Sequence, residues 1–244
     1  MRAMLVSCVL AAACSFEVPG FERSDTGAPR DLAGVDLAGV DFTTPPGADL
    51  ATPLDFATPL DFAMGPSPHL DVTRDAASTS MTIDLSGEGT TDWAHFGHMT
   101  SNTIDHKATG SALGWMTPGG VNHFGSYSTT FGWNDGTPTP VATSSSGLWE
   151  GTQGDSFTIT APADRDATLR LYVTLFQSSC TMHLSLSDGS AADFNEQLSA
   201  GNNVYSRYTI SFRGATPGAT LTATWTLDTS GTNDSCDLLA ATLY

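Results

Sequence analysis

The chain has 244 residues, of which 14% are charged, with 9 Lys+Arg against 26 Asp+Glu and a formal net charge of −17. So acidic a balance excludes a general nucleic-acid binder, which neutralises phosphates with clustered Lys and Arg, and equally excludes polybasic attachment to anionic lipid. Gly 24 and Pro 13, among abundant Thr and Ser, favour strands and turns over helices.

Met1-Arg2 opens the chain, and an apolar run of eleven residues from Ala3 to Ala13 leads into Cys14. That run is too short for a hydrocarbon core of ~30 Å, which takes about 20 helical residues. A short apolar segment behind a positive start, ending in small residues, reads as a secretory signal. Ala11-Ala12-Ala13-Cys14 resembles the bacterial lipoprotein lipobox. The resemblance implies a signal peptide over residues 1–13 and acyl chains on Cys14, which would anchor the protein to a membrane without spanning it. Leu5-Val6-Ser7-Cys8 fits the same string with a shorter apolar segment, and an ordinary signal peptide cut near Ala13 is the alternative. Ser15 stands after Cys14 in place of an aspartate, which by analogy with sorting in enteric bacteria points to the outer membrane.

Residues 14–77 read as a tether. Asp31-Leu32-Ala33-Gly34-Val35 and Asp36-Leu37-Ala38-Gly39-Val40 are followed by Asp49-Leu50-Ala51-Thr52-Pro53, Asp55-Phe56-Ala57-Thr58-Pro59 and Asp61-Phe62-Ala63. The aspartates recur every five, six or eight positions, matching neither a helical stripe nor strand alternation. Broken by Pro and Gly and lacking Lys, the segment cannot bury enough surface to offset its ordering entropy, so it is expected to be disordered. As a coil, the biased stretch spans roughly 40 Å.

Residues 78–244 read as strands. Met81, Ile83 and Leu85 alternate with polar residues, then Tyr127, Thr129, Phe131 and Trp133, ending at the turn Asn134-Asp135-Gly136. Phe157 and Ile159 follow, then Leu169, Leu171, Val173 and Leu175, then Cys180, Met182, Leu184 and Leu186, then Tyr208, Ile210 and Phe212. Leu221 to Leu227 is apolar on one face and threonine on the other; Leu239, Ala241 and Leu243 finish the chain. Eight or nine strands with one apolar face require a second layer, so the expected fold is all-β: a two-sheet antiparallel β-sandwich of jelly-roll type without an amphipathic helix. With Cys8 removed in the signal and Cys14 acylated, Cys180 and Cys236 remain and are expected to form a disulfide in an exported protein.

Gly87-Glu88-Gly89-Thr90-Thr91-Asp92-Trp93-Ala94-His95-Phe96-Gly97-His98 is followed by Asp105-His106-Lys107-Ala108. Phe131-Gly132-Trp133-Asn134-Asp135-Gly136-Thr137-Pro138, Leu169-Arg170-Leu171-Tyr172-Val173 and Leu186-Ser187-Asp188-Gly189-Ser190 complete the set. Together they resemble a galactose-binding-like β-sandwich module of secreted bacterial proteins, with Phe96 where the signature carries Trp. The resemblance covers about Met81 to Tyr244. It implies a jelly roll that occurs alone or beside glycan-active enzymes.

A glycan-binding module would stack sugar C–H faces on aromatic rings and select hydroxyls with polar groups. The candidates are Trp93, His95, Trp115, Trp133 and Trp149, with Asp92, Asn134 and Asp135 as polar partners. Trp133 and Trp225 sit on alternating strands and are expected in the core, whereas Trp115 and Trp149 lie in Gly/Ser/Thr-rich stretches. Trp93 and His95 share one face, where a buried, hydrogen-bonded His is the favoured reading. No cofactor is expected. Calcium, which the resemblance implies as a structural ion, would draw on Asp84, Glu88, Asp92 and Asp237. Zinc on His95, His98, His106 and His123 lacks a familiar ligand set. Gly154-Asp155-Ser156-Phe157 and Asp92-Trp93-Ala94-His95 spell the two blocks of a GDSL-type esterase in reversed order and without its helices, so no enzyme is expected. The expected function is a lipid-anchored, non-catalytic envelope protein that binds glycan. The alternative is a structural or adhesive protein that binds other surface proteins.

Overall fold

The computed structural model describes residues 67–77, 79, 82–229 and 231–244; the lipobox with Cys14, the Asp-rich repeats and Met81 lie outside the described residues. The first strands are β1 (His69–Ala76), β2 (Thr82–Asp84), β3 (Asp92–Phe96), β4 (Ile104–Lys107), β5 (Gly114–Met116) and β6 (Asn122–Phe124). Next come β7 (Thr130–Trp133), β8 (Gly136–Thr137), β9 (Ala142–Ser144), β10 (Gly147–Glu150), β11 (Ser156–Pro162) and β12 (Ala167–Phe176). The last are β13 (Ser179–Leu186), β14 (Phe194–Ser199), β15 (Val204–Arg213), β16 (Thr220–Leu227) and β17 (Ser235–Leu243). A single helical turn, α1 (Leu85–Glu88), is capped by the Asp84 side chain, which accepts a hydrogen bond from the Gly87 amide.

The strands form an antiparallel two-sheet sandwich, as the alternation predicts. One sheet has the order β1-β15-β12-β17-β3-β4-β8, with β10 pairing β17 and β6; the other runs β14-β13-β16-β11-β5. Between them lies one core, in which Leu169, Leu171, Val173, Ile210, Phe212, Leu238 and Leu243 meet Phe157, Ile159, Met182, Leu184, Leu221, Ala223 and Trp225. The second sheet keeps its other face wet, so β11, β13 from Cys180 onward and β16 from Leu221 onward alternate buried and half-buried positions.

The first sheet is buried on both faces along its centre. A small third sheet, β2-β7-β9, in which β2 runs parallel to β7, covers its outer face. Under it a second cluster forms from Ile83, Leu85, Tyr127, Phe131 and Trp133 against Trp93, Tyr172, Leu239 and Ala240. Every residue of β3 and β17 is consequently buried, and neither strand shows alternation.

Three sequence expectations are corrected. The tether was expected to run through residue 77, but His69–Ala76 pairs residue for residue with β15, placing Leu70 and Val72 opposite Phe212 and Ile210. The two apolar residues pack against the core, which explains why this stretch joins the sheet. Leu85 leaves the strand pattern begun at Ile83, because Asp84 caps a helical turn there. Leu239 does not share a face with Ala241 and Leu243: β17 bulges between the pairs Tyr172–Ala240 and Val173–Leu238, so two consecutive residues join the outer cluster. Cys180 and Cys236 form the expected disulfide, which ties β13 of one sheet to β17 of the other.

Candidate functional site

The structure divides the residues singled out from sequence. Trp93, His95 and Trp133 form a packed core cluster, with ring centroids 5.6 Å apart for Trp93–Trp133 and 5.0 Å for His95–Trp133. All three are buried, so no ligand stacks on them. The Trp93 indole donates to Asp135 at 2.9 Å and that of Trp133 to the Thr139 carbonyl at 2.9 Å. His95 is buried as expected, but neither ring nitrogen has a hydrogen-bond partner among the described residues. Burial and the neighbouring His98 hold its pKa down to about 3, against the opposing pull of the Ser146 backbone.

The polar partners proposed for these rings are also structural. Asp92 accepts from the amides of Trp93, Ala112 and Leu113 at 2.8–2.9 Å, pinning the loop before β5 to β3. Asp135 accepts from Lys107, Ser86 and Trp93. Burial alone would raise its pKa, but these donors and the Lys107 charge hold it below the usual carboxylate range. Asn134 is exposed, its backbone N–H donating to the Ser86 hydroxyl. Glu88 accepts from the Tyr172 hydroxyl at 2.7 Å and pairs with Arg170, while Asp84 is the helix cap. Among the described residues no three carboxylate, His or Cys side chains converge as a metal site requires. The four calcium candidates are therefore spread over separate roles.

Trp149 and Asp237 lie elsewhere, together. The register of the first sheet sets Asn122 opposite Trp149, Trp149 opposite Asp237, Asp237 opposite Thr174 and Thr174 opposite Tyr205. Direct cross-strand partners project from one face with Cβ atoms about 5 Å apart. This row thus carries the half-buried Trp149 ring beside the buried Asp237 carboxylate on the outer face. Here opens a cleft of about 520 Å³, walled by Phe124, Tyr127, Trp149 and Phe176 and rimmed by Asn203 and the segment from Gly231 to Asp234.

Local sequence explains how the walls are held. Tyr127 stands edge-on to Phe124 with centroids 4.9 Å apart. A Cβ on Gly147 would lie 2.8 Å from the Tyr127 ring, so only glycine lets the ring settle against β10. Gly151 sits under the edge of the Trp149 ring, where a Cβ would come within 3.3 Å. The floor is pinned by the disulfide at Cys236 and by the Ser178 hydroxyl, which donates to the Ser235 carbonyl at 2.7 Å.

Asp237 is the unusual group. It is 2% exposed, and its Oδ1 accepts no hydrogen bond among the described residues. Burial raises its pKa to about 7, partly offset by the Ser235 and Tyr127 side chains. Burial and the adjacent Asp237 charge together push the Tyr127 hydroxyl well above its ordinary range. Thr174 Oγ1, on the neighbouring strand, is likewise buried without a partner.

Of the expected platforms, Trp149 lines this cleft and Trp115 does not. Trp115 is half-buried on the edge strand β5, packed against Phe96 and His106 at 6.2 and 5.6 Å. Phe124, Tyr127, Phe176 and Asn203 went unnoticed as site residues, because they come from separate segments that only the topology brings together. The one local signal is the glycine on either side of Trp149, in Gly147-Leu148-Trp149-Glu150-Gly151.

No protein-family model matches the chain, and no curated protein is significantly similar to it. Solved structures that match include the carbohydrate-binding module TmCBM61 in complex with beta-1,4-galactotriose. It is 11% identical with a TM-score of 0.34, over 55% of this chain and 88% of that one. Another is the enzymatically active domain of tailspike protein 4 of bacteriophage CBA120, 10% identical with a TM-score of 0.32, over 54% of this chain and 19% of that one.

Proposed function

We propose that the domain is a non-catalytic carbohydrate-binding β-sandwich, borne on an exported chain that lipid on Cys14 holds to the bacterial outer membrane. One observation carries the binding reading: a cleft of about 520 Å³ in which aromatic rings stand over a polar row. Its volume falls in the range of small-molecule sites, and its composition is what sugars require, flat apolar faces for C–H groups and convergent oxygens for hydroxyls. Trp149 is the platform in this reading, since it is half-buried, shaped by Gly151 and paired in register with Asp237.

The test is calorimetric titration of the full chain against panels of cell-wall and exopolysaccharide oligosaccharides. Trp149→Ala is expected to weaken binding at least tenfold, about 1.4 kcal/mol, whereas Trp115→Ala leaves it within twofold. Binding that survives Trp149→Ala moves the site elsewhere, capture of proteins in place of sugars favours the adhesive reading, and release of reducing ends would make the domain an enzyme. For the anchor, globomycin treatment followed by mass spectrometry of the N-terminus checks acylation at Cys14.

A further inference from the structure

We infer that the cleft selects sugars bearing a free, protonated amine, with the ammonium group seated between Asp237 and the aromatic walls. This inference rests on the carbohydrate reading above and narrows its substrate class. The cleft is lined by four aromatic side chains, Phe124, Tyr127, Trp149 and Phe176, and by two carboxylates, Asp234 and Asp237. No Lys or Arg lines it among the described residues. Five of the six basic side chains between residues 67 and 244 are engaged in ion pairs elsewhere, from Arg74–Glu196 to Arg213–Asp166, and neither cleft carboxylate is in any of them.

Each feature favours a cation. Ring faces carry negative electrostatic potential and attract an ammonium group within about 6 Å of their centroids, most strongly where water is displaced. A carboxylate oxygen buried without a donor, as Asp237 Oδ1 is, is costly, and the ligand that relieves most of that cost brings both donors and positive charge. A neutral hydroxyl would satisfy Asp237 Oδ1 but leave its charge uncompensated. An acidic sugar would set a like charge against Asp234 and Asp237 in a protein of net charge −17. The expected order is therefore amino sugar over neutral sugar over uronic acid.

Proton linkage adds a second signature. Asp237 titrates near neutrality in the free protein, raised by its burial. The ionisable groups lining the cleft beside it are Tyr127, itself pushed upward and so neutral at pH 7, and Asp234. Seating an ammonium beside Asp237 drives its carboxyl to ionise, so a proton is released on binding.

The full chain is titrated at pH 5.5, where the sugar amine already carries its proton and Asp237 still holds its own, in two buffers of different ionisation enthalpy, with a glucosamine oligosaccharide, its N-acetylated counterpart, a neutral hexose oligomer and a galacturonate oligomer. The glucosamine oligomer is expected to bind at least tenfold more tightly than the acetylated one, with net proton release. Asp237→Asn is expected to reduce that preference to within twofold. Equal or tighter binding of acetylated and neutral oligomers, or a preference unchanged in Asp237→Asn, overturns the amine inference and leaves the carbohydrate reading standing. Binding of none of these or of the other panel sugars fells the carbohydrate reading itself. The comparison of free with acetylated amine uses the unaltered protein, so it decides the matter even if the variant folds poorly.

Discussion

Two buried groups titrate in opposite senses, and their effects on stability should mask each other. The native state refuses a proton at His95 until about pH 3, although the unfolded chain accepts one near 6.5, so this group costs stability as pH falls through that interval. Native Asp237 keeps its proton up to about pH 7, while the unfolded chain loses it near 3.8, so this group costs stability as pH rises. Where the two windows overlap, each contributes a slope of about 1.4 kcal/mol per pH unit, opposite in sign. Urea melts of His95→Phe are thus expected to show stability falling as pH rises from 4 to about 6.5. Asp237→Asn should show the reverse, with a stability gain of a few kcal/mol over the parent at pH 7. Phenylalanine suits this position because both His95 nitrogens lack partners among Phe131, Trp133 and His98. If both variants track the parent at every pH, these two groups are not buried as described. From the sequence, His95 was legible as buried, but its missing hydrogen bonds were not, because partners come from other strands.

Among the elements, β1 matters most for what counts as the domain. It covers the edge of β15 from Ser206 to Arg213, and Arg74 reaches Glu196 of β14 in the opposite sheet at 3.0 Å. A chain that begins at residue 78 would bare the backbone of β15 as an exposed sheet edge and lose the partial burial of Leu70 and Val72, worth about 2 kcal/mol together. It is expected to melt several degrees lower and to self-associate in sedimentation velocity, whereas a chain beginning at residue 67 stays monomeric. Equal behaviour of the two would show β1 to be dispensable. Period-two patterning exposed β11, β13 and β16 well, since one face of their sheet is wet. It misread β17, where both faces are buried and a bulge shifts the parity at Leu239. It also passed over β4, β5, β6, β8 and β9, whose two to four residues hold too few alternations to register.

At the scale of the molecule, the disulfide does two jobs: it locks the sheets together and fixes the cleft floor beside Asp237. Closing a loop of 56 residues stabilises the fold by roughly 4 kcal/mol in the loop-entropy account. The double substitution Cys180→Ala, Cys236→Ala is expected to lose about that much in urea unfolding and to weaken ligand binding at the cleft, while Trp225 remains buried in the core. A loss below 1 kcal/mol would mean that the core alone holds the sheets. The sequence by itself determined the all-β class, the two-layer solution and this cysteine pair, because alternation, turn residues and a count of sulfurs are local or additive properties of the chain. Only the tertiary structure decided which aromatic residues face solvent and where they gather. Trp93 and Trp149 are alike as letters in a glycine-containing stretch, but a third sheet buries one. The register of β6, β10, β17 and β12 sets the other beside an unpaired carboxylate, and pairing between distant strands is fixed by packing, not by neighbours in the chain.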